Sequence, residues 1–311
     1  MKKAIILSAD GNELANQLWN YASIYAYTVE RGYKIVNPSF FEYGEYFTMP
    51  APNWFFRIIF YLPFKNYTKR KTAFRRKLWR KLYSWLIYFS MKISADRMLS
   101  YSNKKNLPFY LPPTESPQAE LSRLEHGEQN IYFNGWLFRN PIGLEKYRVD
   151  VLKYFKPRED IETEVHKQIN NLRVRFKNIV GVHVRQGDYV NWRGGAYFIA
   201  QPRVREILNE YSTVLGLNTL ETCFVITSDG PINTSLFAGL NILVSTGNAV
   251  NDLFLLSLTD TVVGSNSTFG AFASYYGNIP FVVMQSTEVE WSYYLNKKNY
   301  FENKYSTFVH Y

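Results

Sequence analysis

A histidine and an arginine lie close together in the run Gly181-Val-His-Val-Arg-Gln-Gly-Asp-Tyr189, at the end of a short apolar segment. If that segment is a strand, His183 and Arg185 share one face, because side chains alternate along a strand. The planar guanidinium of arginine suits a diphosphate, since it donates two parallel hydrogen bonds and keeps its charge. Asp188 either caps the segment that follows, orients Arg185 at such a site, or forms a plain salt bridge with Arg185. The run predicts an anion-binding strand end whose reactive residues are Arg185, His183 and Asp188.

Two further polar turns follow apolar runs. Val225-Ile-Thr-Ser-Asp-Gly230 ends one of them, and its aspartate either binds a base, ribose or sugar hydroxyl or only forms a turn. Gly264-Ser-Asn-Ser-Thr-Phe-Gly270 joins another to a helical pattern, where accessible N–H groups and the helix dipole favour an anion. Serine and asparagine there are equally typical of an ordinary helix cap. The ligand-binding residues predicted from these turns are Asp229, Ser265, Asn266, Ser267, Thr268 and Phe269.

These turns belong to a regular alternation of apolar runs and helix-compatible segments. The runs lie at 179–184, 223–227, 242–245, 261–264 and 281–284, and the helical segments at about 158–176, 202–216, 250–258 and 268–277. Apolar strands alternating with helices predict a doubly wound α/β domain, whose parallel sheet is covered on both faces. Ligands of such sheets bind at the carboxyl ends of the strands. The turns should therefore meet at one edge, which favours a ligand site over separate structural turns.

The first part of the chain begins as an α/β unit and then becomes irregular. A strand over 4–9 leads into a helix over 14–31, in which apolar residues recur at helical spacing. Residues 40–120 are rich in aromatics and prolines, and we expect helices and loops there rather than sheet. We place a domain boundary between residues 140 and 141.

The positive charge of the chain is concentrated in one block. The net charge is +10, and residues 57–81 contain many lysines and arginines without an acidic residue. With its aromatic residues, the segment 54–93 would suit docking on an anionic membrane surface. Alternatively, it is a solvated basic helix whose aromatics pack on the core. A nucleic-acid-binding surface is less favoured, since the phosphate-binding turns lie far from the block in the sequence.

Several features bear on location and cofactors. The single cysteine, Cys223, lies in an apolar run, which is typical of a buried strand residue. The N-terminal apolar stretch ends at Asp10 and is therefore too short for a signal-peptide core. We therefore expect a cytoplasmic protein, peripheral on the inner face of the membrane if 54–93 docks there. The sequence has neither an Asp-x-Asp motif nor a phosphate-binding Gly-rich loop, and its histidines lack metal-ligand spacing. We expect no metal and no cofactor.

The order of these motifs resembles the fucosyltransferases that use GDP-fucose, especially the α1,2 group of family 11 and the related α1,6- and protein O-fucosyltransferases. The family motif His-x-Arg-Arg-Gly-Asp-Tyr is matched by His183, Arg185 and Gly187-Asp-Tyr189, with Gln186 in place of the second arginine. Asn266-Ser-Thr-Phe-Gly-Ala-Phe-Ala273 is similar to a late family motif.

A third similarity lies near the N-terminus. Asn16-Gln-Leu-Trp-Asn-Tyr-Ala22 matches part of the family's first motif, although Ala15 replaces the glycine before the Asn-Gln pair. The resemblance therefore adds Asn16 and Gln17 to the donor-binding residues. It also implies that Arg185 contacts the β-phosphate of the donor.

The resemblance implies a GT-B-like α/β fold, with two Rossmann-type domains facing a cleft. Residues 1–140 would form the acceptor side and residues 141–311 the donor-nucleotide domain. The implied reaction is inverting, metal-independent transfer of fucose from GDP-fucose to a glycan hydroxyl, on a bacterial surface polysaccharide or a lipid-linked oligosaccharide. The alternatives are an inactive glycan- or nucleotide-binding relative and, less favoured, a nucleic-acid-binding protein. The general base stays open among Asp10, Glu13, Asp188 and Asp229.

Overall fold

A computed structural model of the chain describes residues 3–6, 13–37, 39–40, 42–49, 73–93, 97–101, 130–135 and 138–296. The chain divides into two compact units, Met1–Arg158 and Glu159–His310. Arg57, Lys65 and Lys69 to Lys71 of the basic block lie outside the described residues, as do Asp10 and the segment from 102 to 129. Within the described part of the chain, no helix combines the length and apolarity needed to cross a bilayer.

The first unit is built on a small parallel sheet. Its strands lie side by side in the order β2-β1-β4-β3, and all three pairings are parallel. The elements of the unit, in chain order, are β1 (Lys3–Ile6), α1 (Leu14–Glu30), β2 (Lys34–Val36), α2 (Ala73–Ile93), β3 (Arg97–Tyr101), β4 (Ile131–Gly135), α3 (Pro141–Lys146) and α4 (Arg148–Tyr154).

Helix α1 is the centre of packing in this unit. Its residues Leu18, Ala22 and Ile24 are fully buried, and both α3 and α4 pack against it. The ring of Tyr25 stacks on that of Tyr154 with centroids 4.2 Å apart. Because α3 and α4 bury their apolar residues on α1, the division between the units falls later than the boundary predicted between residues 140 and 141.

Strand β3 corrects the expectation of helices and loops throughout residues 40–120. It pairs with β4 along its whole length, from Arg97 opposite Ile131 to Tyr101 opposite Gly135. Its sequence, Arg-Met-Leu-Ser-Tyr, is short and mixes polar with apolar residues. The local pattern therefore resembled a loop, and pairing with a neighbouring strand makes it a strand.

The second unit is a doubly wound domain. Its strands lie in the order β7-β6-β5-β8-β9 with every pairing parallel, as the alternation of runs predicted. Its elements are α5 (Glu159–Arg173), β5 (Asn178–Val184), α6 (Gln201–Val214), β6 (Thr222–Ser228), β7 (Asn241–Val244), α7 (Ala249–Ser257), β8 (Thr261–Gly264), α8 (Thr268–Gly277), β9 (Phe281–Val283) and α9 (Trp291–Leu295).

The central strand β5 is apolar because helices cover both of its faces. Val180, Val182 and Val184 face a core that includes Ile207 of α6. On the other face, a Cβ added to Gly181 would lie 2.8 Å from Leu256 Cδ2, so helix α7 packs directly over the strand.

The order of the strands defines where the sheet changes its winding direction. The chain winds from β5 to β6 and β7 on one side of β5, then returns to β8 on the other side. The topological switch point, where such sheets bind ligands, therefore lies between β5 and β8.

Candidate functional site

Arg185 directly follows β5, and its guanidinium lies between two carboxylates. Nη2 donates to Asp188 Oδ1, and Nη1 lies 3.3 Å from Asp229 Oδ2. The ring of Tyr189 lies against the guanidinium, with its centroid 4.9 Å away. The Asp188 side chain is 64% exposed and that of Asp229 only 15%, so water weakens the first ion pair far more than the second. The salt bridge to Asp188, one of the alternatives that the sequence left open, does form, and Arg185 also pairs with the more buried Asp229.

Asp229 holds the loop after β5 onto the end of β6. Its Oδ1 accepts hydrogen bonds from the backbone N–H groups of Gln186, at 2.7 Å, and Gly187, at 3.0 Å. Burial alone would raise the pKa of Asp229, but the charge of Arg185 and these two N–H donors outweigh burial and lower the pKa below its ordinary value. Gly187 must lack a side chain here, because a Cβ would lie 2.9 Å from Asp229 Oδ2.

His183 is buried at the carboxyl end of strand β5. Its Nδ1 lies 3.2 Å from the hydroxyl of Thr227, and its ring stacks on Phe269 with centroids 4.5 Å apart. Burial lowers the pKa of His183 to about 3, and the nearby charge of Arg185 adds to this effect. The imidazole is therefore neutral at physiological pH, which leaves its Nε2 able to act as a hydrogen-bonding group rather than as a cation.

The turn between β8 and α8 is joined to the end of β5. The hydroxyl of Ser265 accepts a hydrogen bond from the backbone N–H of Arg185 at 3.0 Å, and its own N–H donates to the carbonyl of His183 at 2.9 Å. The hydroxyl of Tyr189 donates to the carbonyl of Asn266 at 2.9 Å. The structure thus brings the polar ends of β5, β6 and β8 together at one edge of the sheet.

Buried polar atoms at this edge point to a ligand. Within the part of the chain that the structure describes, His183 Nε2, Arg185 Nε and Ser267 Oγ are buried and have no hydrogen-bond partner. Ser267 precedes α8 in the N-cap position, yet its side chain makes no cap hydrogen bond, so the ordinary-cap interpretation does not account for its hydroxyl. A buried polar atom without a partner costs about 1–3 kcal/mol, and a bound anion would supply partners for N–H and O–H donors.

Gln186, which stands where the family motif has a second arginine, has a bracing role in this chain. Its Nε2 donates to the carbonyl of Ile199 at 3.1 Å, and its Oε1 lies 3.4 Å from Gln201 Nε2. Gln201 in turn donates to the carbonyl of Pro231 at 2.9 Å. The glutamine side chain therefore ties the loop after β5 to the start of α6 and the loop after β6.

The two predicted donor-binding residues of the first motif lie in the first unit, on α1. Gln17 is buried, and its Nε2 lies 3.4 Å from Glu42 Oε2, while Asn16 is half-buried. Glu13, one of the general-base candidates, accepts a hydrogen bond from the hydroxyl of Tyr43 at 3.1 Å. Thr268 and Phe269 begin α8 in the second unit, and Thr268 is half-buried.

Asp252 is a further polar residue at the same edge, outside the set of predicted site residues. It lies in the first turn of α7, and its Oδ1 accepts a hydrogen bond from Ser245 just after β7 at 2.5 Å. Burial raises the pKa of Asp252, and the hydrogen bond from Ser245 opposes that rise only in part. The sequence signal for this residue was the polar turn Ser245-Thr-Gly-Asn248 after β7, which resembles the three turns that were identified.

Comparison with known proteins identifies the family. The sequence model of glycosyl transferase family 11 matches residues 143–304, which is more than half of the chain. This chain belongs to glycosyl transferase family 11. Among curated proteins it is similar to the mouse (Mus musculus) galactoside α-(1,2)-fucosyltransferase 2, with 32% identity over 174 residues. That match covers 47% of this chain and 45% of the mouse enzyme, so the chain matches less than half of its relative's length.

Solved structures of fucosyltransferases share the fold of this family 11 member. A mutant of Arabidopsis thaliana FUT1 in complex with GDP superposes with a TM-score of 0.56 at 14% identity, covering 92% of this chain and 71% of that one. The fucosyltransferase NodZ from Bradyrhizobium superposes with a TM-score of 0.55 at 14% identity, covering 93% and 97%. The predicted family and the predicted α/β, GT-B-like fold are therefore confirmed, and the glycosyltransferase prediction is confirmed at the level of the family. The cleft between two domains stays a prediction.

Proposed function

We propose that this family 11 protein transfers fucose from GDP-fucose to a hydroxyl group of a glycan acceptor, with inversion at the anomeric carbon. The observation that carries the proposal is the cluster of buried donors around Arg185 at the switch point of the parallel sheet. Family membership and the likeness to a mouse fucosyltransferase support transfer of a fucosyl group. GDP is the ligand in the structure of the Arabidopsis relative, which supports a GDP-linked donor.

The diphosphate would lie at the carboxyl ends of β5 and β8. Arg185 supplies a cation whose Nε is buried and unpaired, and the hydroxyl of Ser267 is buried beside the first turn of α8. The N–H groups at the start of that helix add positive potential, because the helix dipole points its positive end there. A phosphate oxygen would also compete with the exposed Asp188 carboxylate for Arg185 Nη2, while Asp229 keeps Nη1 in place.

His183 would complete the diphosphate site as a neutral donor. The single proton of the Thr227 hydroxyl can go to Nδ1 of His183, 3.2 Å away, or to the carbonyl of Val182, 3.5 Å away. With the proton in the shorter contact, the ring proton resides on Nε2 and can donate to a phosphate oxygen. The low pKa of His183 keeps the ring in this neutral form throughout the physiological range. Its stacking on Phe269 fixes the ring plane, so the imidazole donates in a defined direction.

The reaction needs stabilisation of a leaving diphosphate. In an inverting transfer the acceptor oxygen attacks the anomeric carbon from the face opposite the nucleotide, and the bond from that carbon to the phosphate oxygen breaks. Negative charge grows on the phosphate as this bond breaks, so Arg185 stabilises the transition state more than the ground state. Among the described residues, no group of three metal-ligating side chains lies together. We propose that Arg185 supplies the positive charge that a metal ion supplies in other transferases.

The acceptor hydroxyl must lose a proton to a base. Asp229 is poorly suited, because Arg185 and two backbone N–H groups hold both of its oxygens and lower its pKa. Asp188 is largely exposed, and its contact with Arg185 is the one that a diphosphate would replace. Asp188 touches the arginine that would hold the leaving diphosphate, whereas the acceptor approaches from the opposite face of the sugar, so we propose that neither carboxylate beside Arg185 is the base.

Asp252 offers a group that could read the nucleobase. Its carboxylate lies beyond the end of β7, two strands from β5, which corresponds to about 10 Å at the usual strand spacing. That span is comparable with the length of a nucleoside diphosphate whose phosphates lie at β5. A carboxylate accepts hydrogen bonds in pairs, and guanine presents two adjacent N–H donors, so we propose that Asp252 contributes to selection of GDP.

The experiment that tests the proposal is turnover of GDP-fucose, followed as release of GDP with and without a fucose-accepting glycan. Arg185→Ala should lower the rate by about 10²–10³, the cost of removing one preorganised charge stabiliser. The matched control is Arg173→Ala, because Arg173 also pairs with an aspartate, Asp260, but at the opposite end of β5. Equal turnover in Arg185→Ala and Arg173→Ala would overturn the proposal. GDP binding without any turnover would instead indicate an inactive nucleotide-binding relative.

A further inference from the structure

Helix α2 presents an apolar stripe to solvent. Its exposed large side chains recur at helical spacing, which places them within an arc of about 100° of the helix surface. Trp85 is 60% exposed and Ile93 72% exposed, and the rings of Trp85 and Phe89 stack with centroids 5.7 Å apart. Such contiguous apolar surface is rare on soluble proteins unless it binds something. The residues of the stripe are Leu78, Leu82, Trp85, Leu86, Phe89 and Ile93.

The opposite side of α2 is fixed to the first unit by a buried ion pair. Arg80 lies about 170° around the helix from the middle of the stripe. Its Nε donates to Glu42 Oε1 at 2.6 Å and its Nη2 to Glu42 Oε2 at 2.9 Å, with both side chains buried. This bidentate contact sets the rotation of the helix, since turning the stripe inward would expose one buried charge pair and break two hydrogen bonds. The outward position of the stripe is therefore built into the unit.

Two exposed lysines lie along one edge of the stripe. Lys81 and Lys92 lie within about 40° of Trp85 around the helix, and both are exposed. Lys92 Nζ also lies 5.5 Å from the ring of Tyr88, another exposed aromatic residue of the helix. The sequence from 57 to 81 adds further basic residues and no acidic one. Apolar side chains with cations at their margin match the boundary of an anionic bilayer, where acyl chains meet headgroup phosphates.

We propose that α2 lies in the surface of an anionic lipid bilayer and docks the chain there through this stripe. A lipid surface fits better than a second copy of the chain, because a symmetric contact through the stripe would bring the lysines of both copies together. It also fits better than a nucleic acid, since large aliphatic side chains form most of the stripe. The docking surface would hold the protein beside acceptors that are themselves anchored in lipid.

The test is co-sedimentation of the whole 311-residue chain with vesicles of phosphatidylcholine alone or with added phosphatidylglycerol. We expect binding that needs phosphatidylglycerol and weakens with added salt. Trp85→Glu with Phe89→Glu should lower the partition coefficient about 100-fold or more, because two large apolar contacts are lost. The matched control is Val149→Glu with Val174→Glu, which places the same charges at exposed apolar residues outside α2. This control should bind vesicles as the wild type does.

A second pair of changes tests the charges without touching the stripe. Lys81→Ala with Lys92→Ala should weaken binding about 30-fold, at roughly 1 kcal/mol for each lysine near an anionic surface. Absence of vesicle binding by the wild type would overturn the proposal, as would binding that neither pair of changes weakens. A dimer in solution that Trp85→Glu with Phe89→Glu dissociates would show instead that the stripe joins two copies. Stabilisation by GDP should persist in all variants, so failure here leaves the proposed transfer reaction unaffected.

Discussion

Replacing Asp229 by asparagine tests how the Arg185 site is held. Asparagine keeps the shape of the side chain and one acceptor oxygen, so it can still accept from the N–H groups of Gln186 and Gly187. It removes the charge, however, and its amide group would turn N–H donors toward the guanidinium of Arg185. The variant should therefore be less stable and should hold Arg185 in a less defined position.

The size of the loss follows from the contacts. Hydrogen bonds to a charged acceptor contribute roughly 1 kcal/mol more than neutral ones, and Asp229 accepts two of them from the backbone. The pair with Arg185, 3.3 Å long and mostly shielded from water, adds up to about 1 kcal/mol. The expected loss is about 2–3 kcal/mol at pH 7, equivalent to a fall in Tm of about 5–10 °C.

The pH dependence supplies the sharper criterion. Because the folded-state pKa of Asp229 is lowered, its stabilising effect is complete above the ordinary pKa and is lost as pH falls through the folded-state value. Urea unfolding from pH 7 to pH 3 should show the difference between wild type and Asp229→Asn shrinking in acid. A difference that is absent at pH 7, or that stays constant down to pH 3, would refute the reasoning.

The matched control for this variant is Asp260→Asn. Asp260 makes the same kinds of contact at the other end of β5, pairing with Arg173 and accepting from the N–H of Ile179 at 2.7 Å. Its side chain is 44% exposed, so its loss should cost less stability. GDP affinity should fall about 10-fold in Asp229→Asn and stay unchanged in Asp260→Asn.

Three further results are expected. His183 should show no ring titration by NMR between pH 5 and 8, because its folded-state pKa is about 3. The free energy of unfolding of the wild type should fall by about 1.4 kcal/mol per pH unit below pH 6.5, and His183→Gln should lack this contribution. Gly187→Ala should lose about 1–3 kcal/mol in urea unfolding, because the new Cβ would meet Asp229 Oδ2 at 2.9 Å; unchanged stability would contradict that geometry. Gln186→Ala should lower the free energy of unfolding by about 1 kcal/mol, because the hydrogen bond to the carbonyl of Ile199 is lost. Its affinity for GDP should stay unchanged in calorimetry, and a large loss of affinity would show that Gln186 contacts the ligand.

The fold of the second unit could be predicted from the sequence because its signals are local. Strands β5, β6 and β8 are short apolar runs bounded by polar turns, and such runs alternating with helices have essentially one architecture. The turns that end these strands meet because parallel strands share one carboxyl edge. Strand β3 gave no comparable signal, since its five residues become a strand only by pairing with β4.

The detailed roles of the site residues depended on contacts between distant parts of the chain. Asp229 was identified from its turn, but its hold on Gly187 and Arg185 requires β5 and β6 to be neighbours. Ser267 occupies a cap position in the sequence, yet its hydroxyl makes no cap hydrogen bond. Gln186 stands where the family motif has an arginine, and in the structure its side chain donates a hydrogen bond to the carbonyl of Ile199. A motif names the residue types at a site, and only packing decides what each side chain contacts.

In the first unit, too, the sequence predicts the local elements but not the contacts between distant residues. The helix over 14–31 was predicted closely, because its buried face repeats at helical spacing along α1. The burial of Gln17 against Glu42, and of Arg80 against the same carboxylate, could not be read from residues so far apart in the chain. The orientation of the α2 stripe follows from that ion pair, and so it emerged only from the structure.

Calorimetric titration with GDP and GMP in the presence of EDTA tests most directly whether Arg185 holds the β-phosphate of a guanine nucleotide. GMP lacks the β-phosphate, so the wild type should bind GDP more tightly than GMP without metal. Arg185→Ala should weaken GDP binding by at least 10-fold, corresponding to 1.4 kcal/mol, and leave GMP binding nearly unchanged, while Arg173→Ala should bind both as the wild type does. Equal affinities of wild type and Arg185→Ala for GDP, or equal weakening of GDP and GMP, would contradict the account.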